Sequence, residues 1–429
     1  MSGSQAEEPG SGPTPAGLPP SRCPGSARDG VARLGRYAPA LLLGHLGWAA
    51  PSAAAATLLQ ALAERIDPAN KIVFFGAMST AGGVCASATM IVTGALSDRT
   101  RSRFGRRKPW ILGGAVLAAC AMALIGVSHS KLWIITLFAL YKMGESASVG
   151  ALFALMPDRL ASKQLGSASG VAGLGYLLGQ SAGTFAAAAF LTTPELGLAV
   201  LPWIFVLCAV LVALLVPGRS SLDRPRLPVS GRELLRSLRP PSDGDFWLAF
   251  GGRFLFIFSF QMVLAYNLYL VTDYLGLTTK AAGGLMSAAI LVFVTSAAVA
   301  AGTTGPWSDR RVRRKPFVAG ASLLVLLAVS APAAAPEAWA YLLFFLAAGV
   351  AFGTYTAVDQ ALMVEVLPEG SEGAKDLAFL NAANALPQIL APGAAGLLVT
   401  LVGYPGLFLC GGLAAAVGAV LILLIRRVR

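Results

Sequence analysis

A short motif occurs twice in this chain, at corresponding positions of its two halves. Residues 94–99 read Gly-Ala-Leu-Ser-Asp-Arg, and residues 305–310 read Gly-Pro-Trp-Ser-Asp-Arg. Each copy precedes a basic run that ends in Arg-Lys-Pro and an aromatic residue, and the two aspartates, Asp98 and Asp309, are 211 residues apart. A repeat unit of half the chain predicts two similar structural halves rather than an array of small modules.

The composition is that of a membrane protein. Of 429 residues, 56% are apolar and 13% are charged, whereas soluble domains are about 25% charged. A helix needs about 20 apolar residues to cross the hydrocarbon core, and twelve segments suit such helices: 37–63, 72–96, 109–127, 132–156, 165–191, 197–216, 246–272, 281–307, 316–331, 338–366, 377–402 and 405–425. We therefore predict an all-α membrane protein with twelve transmembrane helices in two pseudo-symmetric six-helix bundles.

The basic residues indicate the orientation in the membrane. With both termini in the cytoplasm, 27 of the 33 Lys and Arg residues fall in inner loops and tails and 4 fall outside. This asymmetry is the positive-inside pattern, and it predicts a multi-pass protein of the cell membrane with cytoplasmic N- and C-termini. It also accounts for the net charge of +12 without a nucleic-acid partner, which would require a contiguous basic face.

Four regions are predicted along the chain. Residues 1–36 are rich in Ser, Gly and Pro and are expected to form a disordered cytoplasmic tail. Residues 37–217 form the N-terminal bundle, 218–245 a cytoplasmic linker, and 246–429 the C-terminal bundle. Within the linker, residues 230–233 have the form of a capping box, which predicts a short interfacial helix with Leu234, Leu235 and Leu238 towards the bilayer.

The first motif carries a family resemblance. Residues 94–110 read Gly-x-Leu-Ser-Asp-Arg-x-x-Ser-x-Phe-Gly-Arg-Arg-Lys-Pro-Trp, which resembles the loop between helices two and three of the major facilitator superfamily. It is most similar to the version in plant sucrose carriers and bacterial glycoside-pentoside-hexuronide cation symporters, and segments 155–170 and 359–388 agree with that branch. The resemblance implies a carrier of two bundles that exposes a central site to each membrane face in turn.

The resemblance also implies a gate at the cytoplasmic surface. Asp98, with Arg99 and Arg106, is expected to latch the two bundles while the cavity faces outward, and Asp309 with Arg310 repeats the arrangement. A carboxylate there can accept bonds from a basic partner or from another helix N-terminus. The alternative interpretation is that the loop is only a topology signal.

Four ionisable residues fall at membrane depth, where a charge costs about 2.5–3.5 kcal/mol on insertion scales. Lys142 and Glu145 are three residues apart on the fourth predicted helix and share a face. Arg253 on the seventh helix and Asp359 on the tenth lie at similar depth and can pair. Each pair is a candidate for proton coupling or substrate binding, and equally for a purely structural role.

Two positions depart from the sucrose carriers. Counting back from the shared Gly150 and Asp158, the acid that those carriers use for proton coupling falls at Lys142, and their substrate-binding arginine falls at Phe153. Sucrose is therefore not the expected cargo.

Polar uncharged side chains on the predicted helices are candidates for substrate contact, because amides and aromatic faces suit a hydroxylated ligand. They are Asn381, Asn384, Gln388, Tyr176, Gln180, Asn267 and Tyr355. The same groups often form bonds between helices instead. His45, near Trp48 on the first helix, is interpreted as a satisfied polar group rather than a proton relay.

The predicted function is secondary active transport, as proton-coupled symport of a sugar, glycoside or similar polar organic solute. One alternative is an exporter of drugs or secondary metabolites that works by proton antiport, and another is a membrane sensor that binds solute without moving it. No cofactor or metal is expected, and the coupling ion is H⁺ or Na⁺. The expected partners are a small solute and the lipid bilayer, and the expected state is a monomer. The sequence shows no nucleophile–base arrangement of the kind that would indicate an enzyme.

Overall fold

The fold is helical throughout the part of the chain that the computed structural model describes, residues 34–160, 164–217, 243–311, 314–366 and 373–426. The first half contains α1 Leu34–Ile66, α2 Lys71–Arg99, α3 Lys108–Gly126, α4 Lys131–Arg159, α5 Leu165–Ala189, α6 Pro194–Val200 and α7 Trp203–Leu215. The second half contains α8 Gly244–Ala265, α9 Thr279–Arg311, α10 Lys315–Ala334, α11 Ala338–Val366 and α12 Gly373–Leu424. The predicted interfacial helix of the linker and residues 1–33 of the predicted tail lie outside the described ranges.

These helices account for the twelve predicted spans. The sixth span is α6 followed by α7, and α12 contains the eleventh and twelfth spans on either side of Gly403. Gly403 has φ 72° and ψ −175°, a backbone conformation that glycine adopts without steric penalty. The twelve-helix all-α fold is therefore confirmed.

Length and apolar composition alone identify nine candidate spans among the described helices. The set omits α4 and α5 and treats Leu386–Leu424 as a single span. Lys142 and Glu145 lower the apolar character of α4, and glycine and serine residues lower that of α5.

The internal repeat is visible in the packing of each half. In the first half α1 packs against α5 and α7, and α4 packs against α2 and α3; in the second half α8 packs against α12, and α11 packs against α9 and α10. Gly175, Gly179 and Gly183 of α5 all lie against α1. A Cβ atom on Gly179 would lie 2.9 Å from the carbonyl oxygen of Leu46, so only glycine allows α1 and α5 to approach this closely.

The two halves meet along two helix pairs, α2 with α12 and α5 with α9. We name the two ends of the molecule by their loops. The basic end carries the loop 99–108 and the last residues of α9, and the clasp end carries the loops 66–71 and 265–279. The halves approach closely at two places. Gly83, near the middle of α2, meets Ile389, and Gly283 meets Ala188 at the clasp end of α9 and α5.

Candidate functional site

At the clasp end, the seventh span is broken. Helix α8 ends at Ala265, and Tyr266 has the non-helical angles φ −115° and ψ 32°. A short turn, Asn267–Tyr269, and a π-helical turn, Leu270–Tyr274, follow the break. A helix end leaves main-chain groups without partners inside the helix, so the break requires hydrogen bonds from elsewhere.

Gln60 of α1 supplies these hydrogen bonds from the other half. Its side-chain Nε2 donates to the carbonyl oxygen of Ala265 at 3.1 Å, and its Oε1 accepts from the amide of Leu268 at 3.0 Å. The hydroxyl of Tyr269 donates to the main-chain oxygen of Gln60 at 2.7 Å. Gln60 is 2% exposed, so this contact is a buried seal between the halves.

An ion pair and a tyrosine lie beside the Gln60 contact. Nζ of Lys71 lies 2.8 Å from Asp273 Oδ1 in the opposite half, 2.8 Å from Glu64 Oε1, and 4.7 Å from the centre of the Tyr269 ring. The hydroxyl of Tyr266 lies within hydrogen-bonding distance of the carbonyl oxygens of Ile72 and Pro392. These contacts bring the first, second, seventh and eleventh spans together.

We define the clasp as Gln60, Lys71, Tyr266, Tyr269 and Asp273. Sequence reasoning missed it, because several of its bonds go to main-chain groups that leave no side-chain signature. The available signals were an amide inside the apolar helix α1 and a lysine on the side of the membrane where basic residues are rare.

Two other ion pairs at the clasp end stay within the first half. Arg65 Nη1 lies 3.0 Å from Glu195 Oε2, and Lys131 pairs with Asp67. The hydrogen bond from Lys131 lowers the pKa of Asp67 below its usual value. These pairs tie neighbouring loops together and do not cross between halves.

At the basic end, two arginines converge on one carboxylate. Nε of Arg106 lies 3.1 Å and Nε of Arg107 lies 3.0 Å from Asp158 Oδ2, and Arg107 also bonds the hydroxyl of Ser97. Asp158 lies near the end of α4, so these contacts fasten the first loop to its own half. Sequence reasoning noted the segment that contains Asp158 but gave it no role.

The predicted cytoplasmic gate is described only in part. Arg106 pairs with Asp158 inside the first half, and Arg99 is exposed at the end of α2. The side chains of Asp98, Asp309 and Arg310 lie outside the described part of the structure. Their role as a latch between the halves stays a prediction.

The pair on α4 is neutralised locally. Nζ of Lys142 lies 2.6 Å from Glu145 Oε2, and the hydroxyl of Tyr141 donates to Glu145 Oε1 at 3.2 Å. Glu145 is 6% exposed. All three residues belong to one helix, and Tyr141 also bonds the side chain of Ser52 on α1, so this group places a carboxylate beside a contact between α4 and α1.

The pair in the second half does connect helices. Nη2 of Arg253 on α8 lies 3.2 Å from Asp359 Oδ2 on α11, and its Nε donates to Asn384 Oδ1 on α12 at 2.8 Å. Arg253 and Asp359 are each 2% exposed. Tyr355, one turn before Asp359, stacks on Phe256 with ring centres 3.8 Å apart.

This cluster keeps unused hydrogen-bonding capacity. Arg253 Nη1 is buried without a partner. Asp359 Oδ1 and the Tyr355 hydroxyl are buried and make no hydrogen bond of normal geometry, but the hydroxyl lies beside the Asp359 carboxylate and interacts with it. Buried polar atoms in proteins are nearly always paired, and an unpaired group costs about 1–3 kcal/mol. The cluster is therefore a candidate functional site, with Arg253 Nη1 as its clearest unused donor.

The other predicted contact residues make bonds within the protein. Asn267 accepts from the hydroxyl of Tyr341 at 2.7 Å, and Gln180 donates to the hydroxyl of Tyr176 at 3.0 Å. Gln388 donates to the main-chain oxygen of Asn384 at 3.2 Å. The side chain of Asn381 lies outside the described part. Asn267 and Asn384 therefore form hydrogen bonds between helices, which was the alternative to substrate contact in the sequence analysis.

Comparison with known proteins decides the family. A family model described as Major Facilitator Superfamily matches residues 37–304 and 249–429. The chain belongs to the major facilitator superfamily. It is therefore a multi-pass membrane transporter and not an enzyme. The glycoside-pentoside-hexuronide branch stays a resemblance of the motifs.

Solved structures of this superfamily share the fold at low sequence identity. The D-xylose-proton symporter is 17% identical, with a TM-score of 0.68 and coverage of 92% of this chain and 98% of that one. The nucleoside transporter NupG, as a single-substitution mutant, is 12% identical, with a TM-score of 0.67 and coverage of 90% and 98%. A bacterial homologue of the human lysosomal transporter Spinster, inward-facing and unoccupied, is 14% identical, with a TM-score of 0.63 and coverage of 92% and 95%. No curated protein sequence matches the chain.

Among the described residues, no group of three or more His, Cys, Asp or Glu side chains is placed to hold a metal ion.

Proposed function

We propose that this chain is a proton-coupled carrier that imports a sugar, glycoside or similar polar organic solute, with the clasp end facing the outside. Membership of the superfamily supports secondary transport in general. The observation that carries the finer proposal is the buried Arg253–Asp359 pair, which joins two helices and leaves one nitrogen of its guanidinium unpaired.

Asp359 is the member of this pair that can respond to a proton. An arginine side chain keeps its charge at every physiological pH, whereas a carboxylate can be neutralised. Protonation of Asp359 removes the charge attraction that holds α8 to α11. A proton bound there therefore changes helix packing, which is what coupling of ion movement to an alternating carrier requires.

Glu145 is the second candidate for the proton site. It faces Lys142 and Tyr141 on its own helix, so protonation would free Lys142 without separating two helices. This difference predicts that Asp359 controls the conformational step, while Glu145 controls local charge near the solute.

The chemistry of the candidate contact residues favours a neutral, hydroxylated solute. Tyr176 bonds Gln180 in the first half, and Tyr355 and Asn384 belong to the Arg253 cluster in the second half, so each half combines aromatic rings with amides. Two solved structures with the same fold are named for a nucleoside and for xylose, both hydroxylated compounds. These names are consistent with the proposed class of cargo.

The clasp fits the proposed alternation between two states. It holds the halves together at one end through Gln60 and Lys71, which is the contact that an inward-facing carrier needs on its outer side. Opening the clasp and closing the basic end, through the predicted Asp98 and Asp309 latches, would give the outward-facing state.

Transport into proteoliposomes tests the proposal. Vesicles with an imposed pH gradient or sodium gradient are given labelled disaccharides, glycosides and cationic dyes. Accumulation of one sugar class that needs the pH gradient is the expected result. Dye extrusion without sugar flux would favour the exporter. Sugar accumulation that needs the sodium gradient would show that Na⁺, rather than H⁺, is the coupling ion. Solute binding without flux in either direction would favour the sensor.

Two variants assign the coupling residue. Asp359→Asn and Glu145→Gln are compared with Asp67→Asn, a loop carboxylate at the clasp end. We expect the first two to lose pH-driven accumulation while solute exchange persists, and Asp67→Asn to retain both. Full proton coupling in both buried variants would remove them from the mechanism.

A further inference from the structure

His45 of α1 is only half satisfied in the structure. Its Nδ1 lies 2.8 Å from the carbonyl oxygen of Leu41. A carbonyl can only accept, so Nδ1 carries the proton, and in the neutral ring Nε2 is an acceptor. His45 is 2% exposed, and Nε2 is buried without a partner. The sequence-based interpretation of His45 as a satisfied polar group is therefore wrong for this nitrogen.

A second unpaired atom lies one turn away. The indole Nε1 of Trp48 is buried and has no hydrogen-bond partner, and an indole N–H can only donate. Residues three apart share a helix face, so His45 and Trp48 present one acceptor and one donor on the same side of α1.

Aromatic rings from two other helices border this pair. The His45 ring meets Phe153 of α4 edge-on, with centres 5.0 Å apart, and the Trp48 ring lies 5.3 Å from Tyr176 of α5. Gln180 donates to the Tyr176 hydroxyl. Phe153 is 45% exposed and Trp48 is partly exposed, whereas the two unpaired nitrogens are themselves buried.

The packing indicates which side of the first half this group occupies. Helices α2 and α5 both contact the second half, through α12 and α9. Helix α1 packs against α5 and α2, and α4 packs against α2, so α1 and α4 both neighbour the helices that contact the second half.

We propose that His45 Nε2 and Trp48 Nε1 form a subsite for one hydroxyl group of a neutral carbohydrate-like ligand. This inference rests on the proposed function and deepens it. A hydroxyl donates one bond to His45 and accepts one from Trp48, which satisfies both unpaired atoms at once. The faces of Trp48 and Tyr176 supply apolar contact for the ring carbons of such a ligand.

Other ligand classes satisfy the pair less well. An ammonium group has only donors and leaves the Trp48 N–H unpaired. A carboxylate has only acceptors and faces the lone pair of His45 Nε2. A hydroxyl is the small group that matches one donor and one acceptor together.

Direct binding to the purified full-length protein tests the subsite. Isothermal titration with disaccharides, methyl glycosides and their single-deoxy derivatives is performed on the wild type, His45→Phe and Trp48→Phe. These variants keep an aromatic ring but lose one hydrogen-bonding atom. His129→Phe and Trp203→Phe, at an exposed loop and on the exposed face of α7, are the matched controls.

We expect each subsite variant to weaken binding of the best sugar about tenfold, the effect of one lost hydrogen bond to a ligand, while the controls bind normally. One deoxy derivative should bind the wild type about tenfold more weakly and should bind His45→Phe with no further loss. Because the chain has two histidines, ¹⁵N NMR of the His129→Phe variant reports His45 alone, and its Nε2 signal should shift when the sugar is added.

The possible results separate the two proposals. If sugar binds His45→Phe and Trp48→Phe as tightly as the wild type, and the Nε2 signal does not shift, the subsite alone is overturned. Sugar binding that depends on them without gradient-driven uptake overturns the transport proposal alone. Absence of binding by every compound in the panel overturns both.

Discussion

Lys71 Nζ lies 2.8 Å from Asp273 Oδ1 across the interface between the two halves. The two side chains are 13% and 28% exposed, so water screens this pair less than an ordinary surface ion pair. The closed clasp end therefore includes a charge contact that breaks whenever the halves separate there.

Reversing the charge of Lys71 should open the clasp end. In Lys71→Asp, three carboxylates meet where Glu64 and Asp273 now share one ammonium, and a loss of about 1 kcal/mol shifts the open–closed equilibrium about fivefold. Spin labels at the exposed positions Ala69 and Lys280 should show a longer distance distribution. Adding Asp273→Lys should restore part of the closed population.

Lys131→Asp is the matched control for that experiment, because Lys131 pairs with Asp67 inside the first half. It should leave the distance between the labels unchanged. Equal opening in both variants would show that net charge at this end, rather than the cross-interface contact, sets the equilibrium.

Removing the Gln60 side chain should weaken the clasp more than removing the Lys71–Asp273 ion pair. Gln60→Ala leaves the amide of Leu268 and the carbonyl of Ala265 without their partner, at about 1–3 kcal/mol for each buried group. We expect the open form to increase by at least about tenfold and the transport rate to change. Gln60→Glu, which keeps the acceptor for Leu268 but loses the donor for Ala265, should fall between Gln60→Ala and the wild type.

Breaking the Arg253–Asp359 pair should destabilise the second half. Asp359→Asn leaves a buried guanidinium without its counter-charge, which costs about 3–5 kcal/mol and should lower the thermal unfolding midpoint. The double variant Arg253→Met with Asp359→Leu should recover most of the stability, since a buried ion pair can be replaced by apolar residues with little loss. A stable double variant that still couples to protons would contradict the proposed role.

The basic end allows two aspartates to be compared. Asp98→Asn should slow transport more than it weakens solute binding, because the predicted latch acts on the conformational step. Asp158→Asn removes the partner of Arg106 and Arg107 within one half, so it should lower the thermal midpoint in addition. An unchanged transport rate in Asp98→Asn would remove the gate assignment.

Features set by local sequence were predictable. Apolar length and loop charge predicted the second helix at 72–96, and the structure has it at Lys71–Arg99. The gap predicted between residues 402 and 405 contains Gly403, where the backbone leaves the helix. The matched depth of Arg253 and Asp359 indicated their pairing, which the structure contains.

Features set by distant main-chain groups were not predictable. The hydrogen bond between Gln60 and Ala265 spans 205 residues. It depends on where α8 ends, and no local residue pattern predicts that position. The unpaired nitrogen of His45 was equally hidden, because it follows from the position of the Leu41 carbonyl.

Substitutions on the two sides of the contact between Gln60 and the broken seventh span have different effects on its hydrogen bonds. Its two side-chain bonds reach the peptide groups of Ala265 and Leu268, which most amino acids at those sites would still provide. Genetic drift can therefore change the side chains at Ala265 and Leu268 without removing these two bonds, whereas most substitutions at Gln60 remove at least one of them.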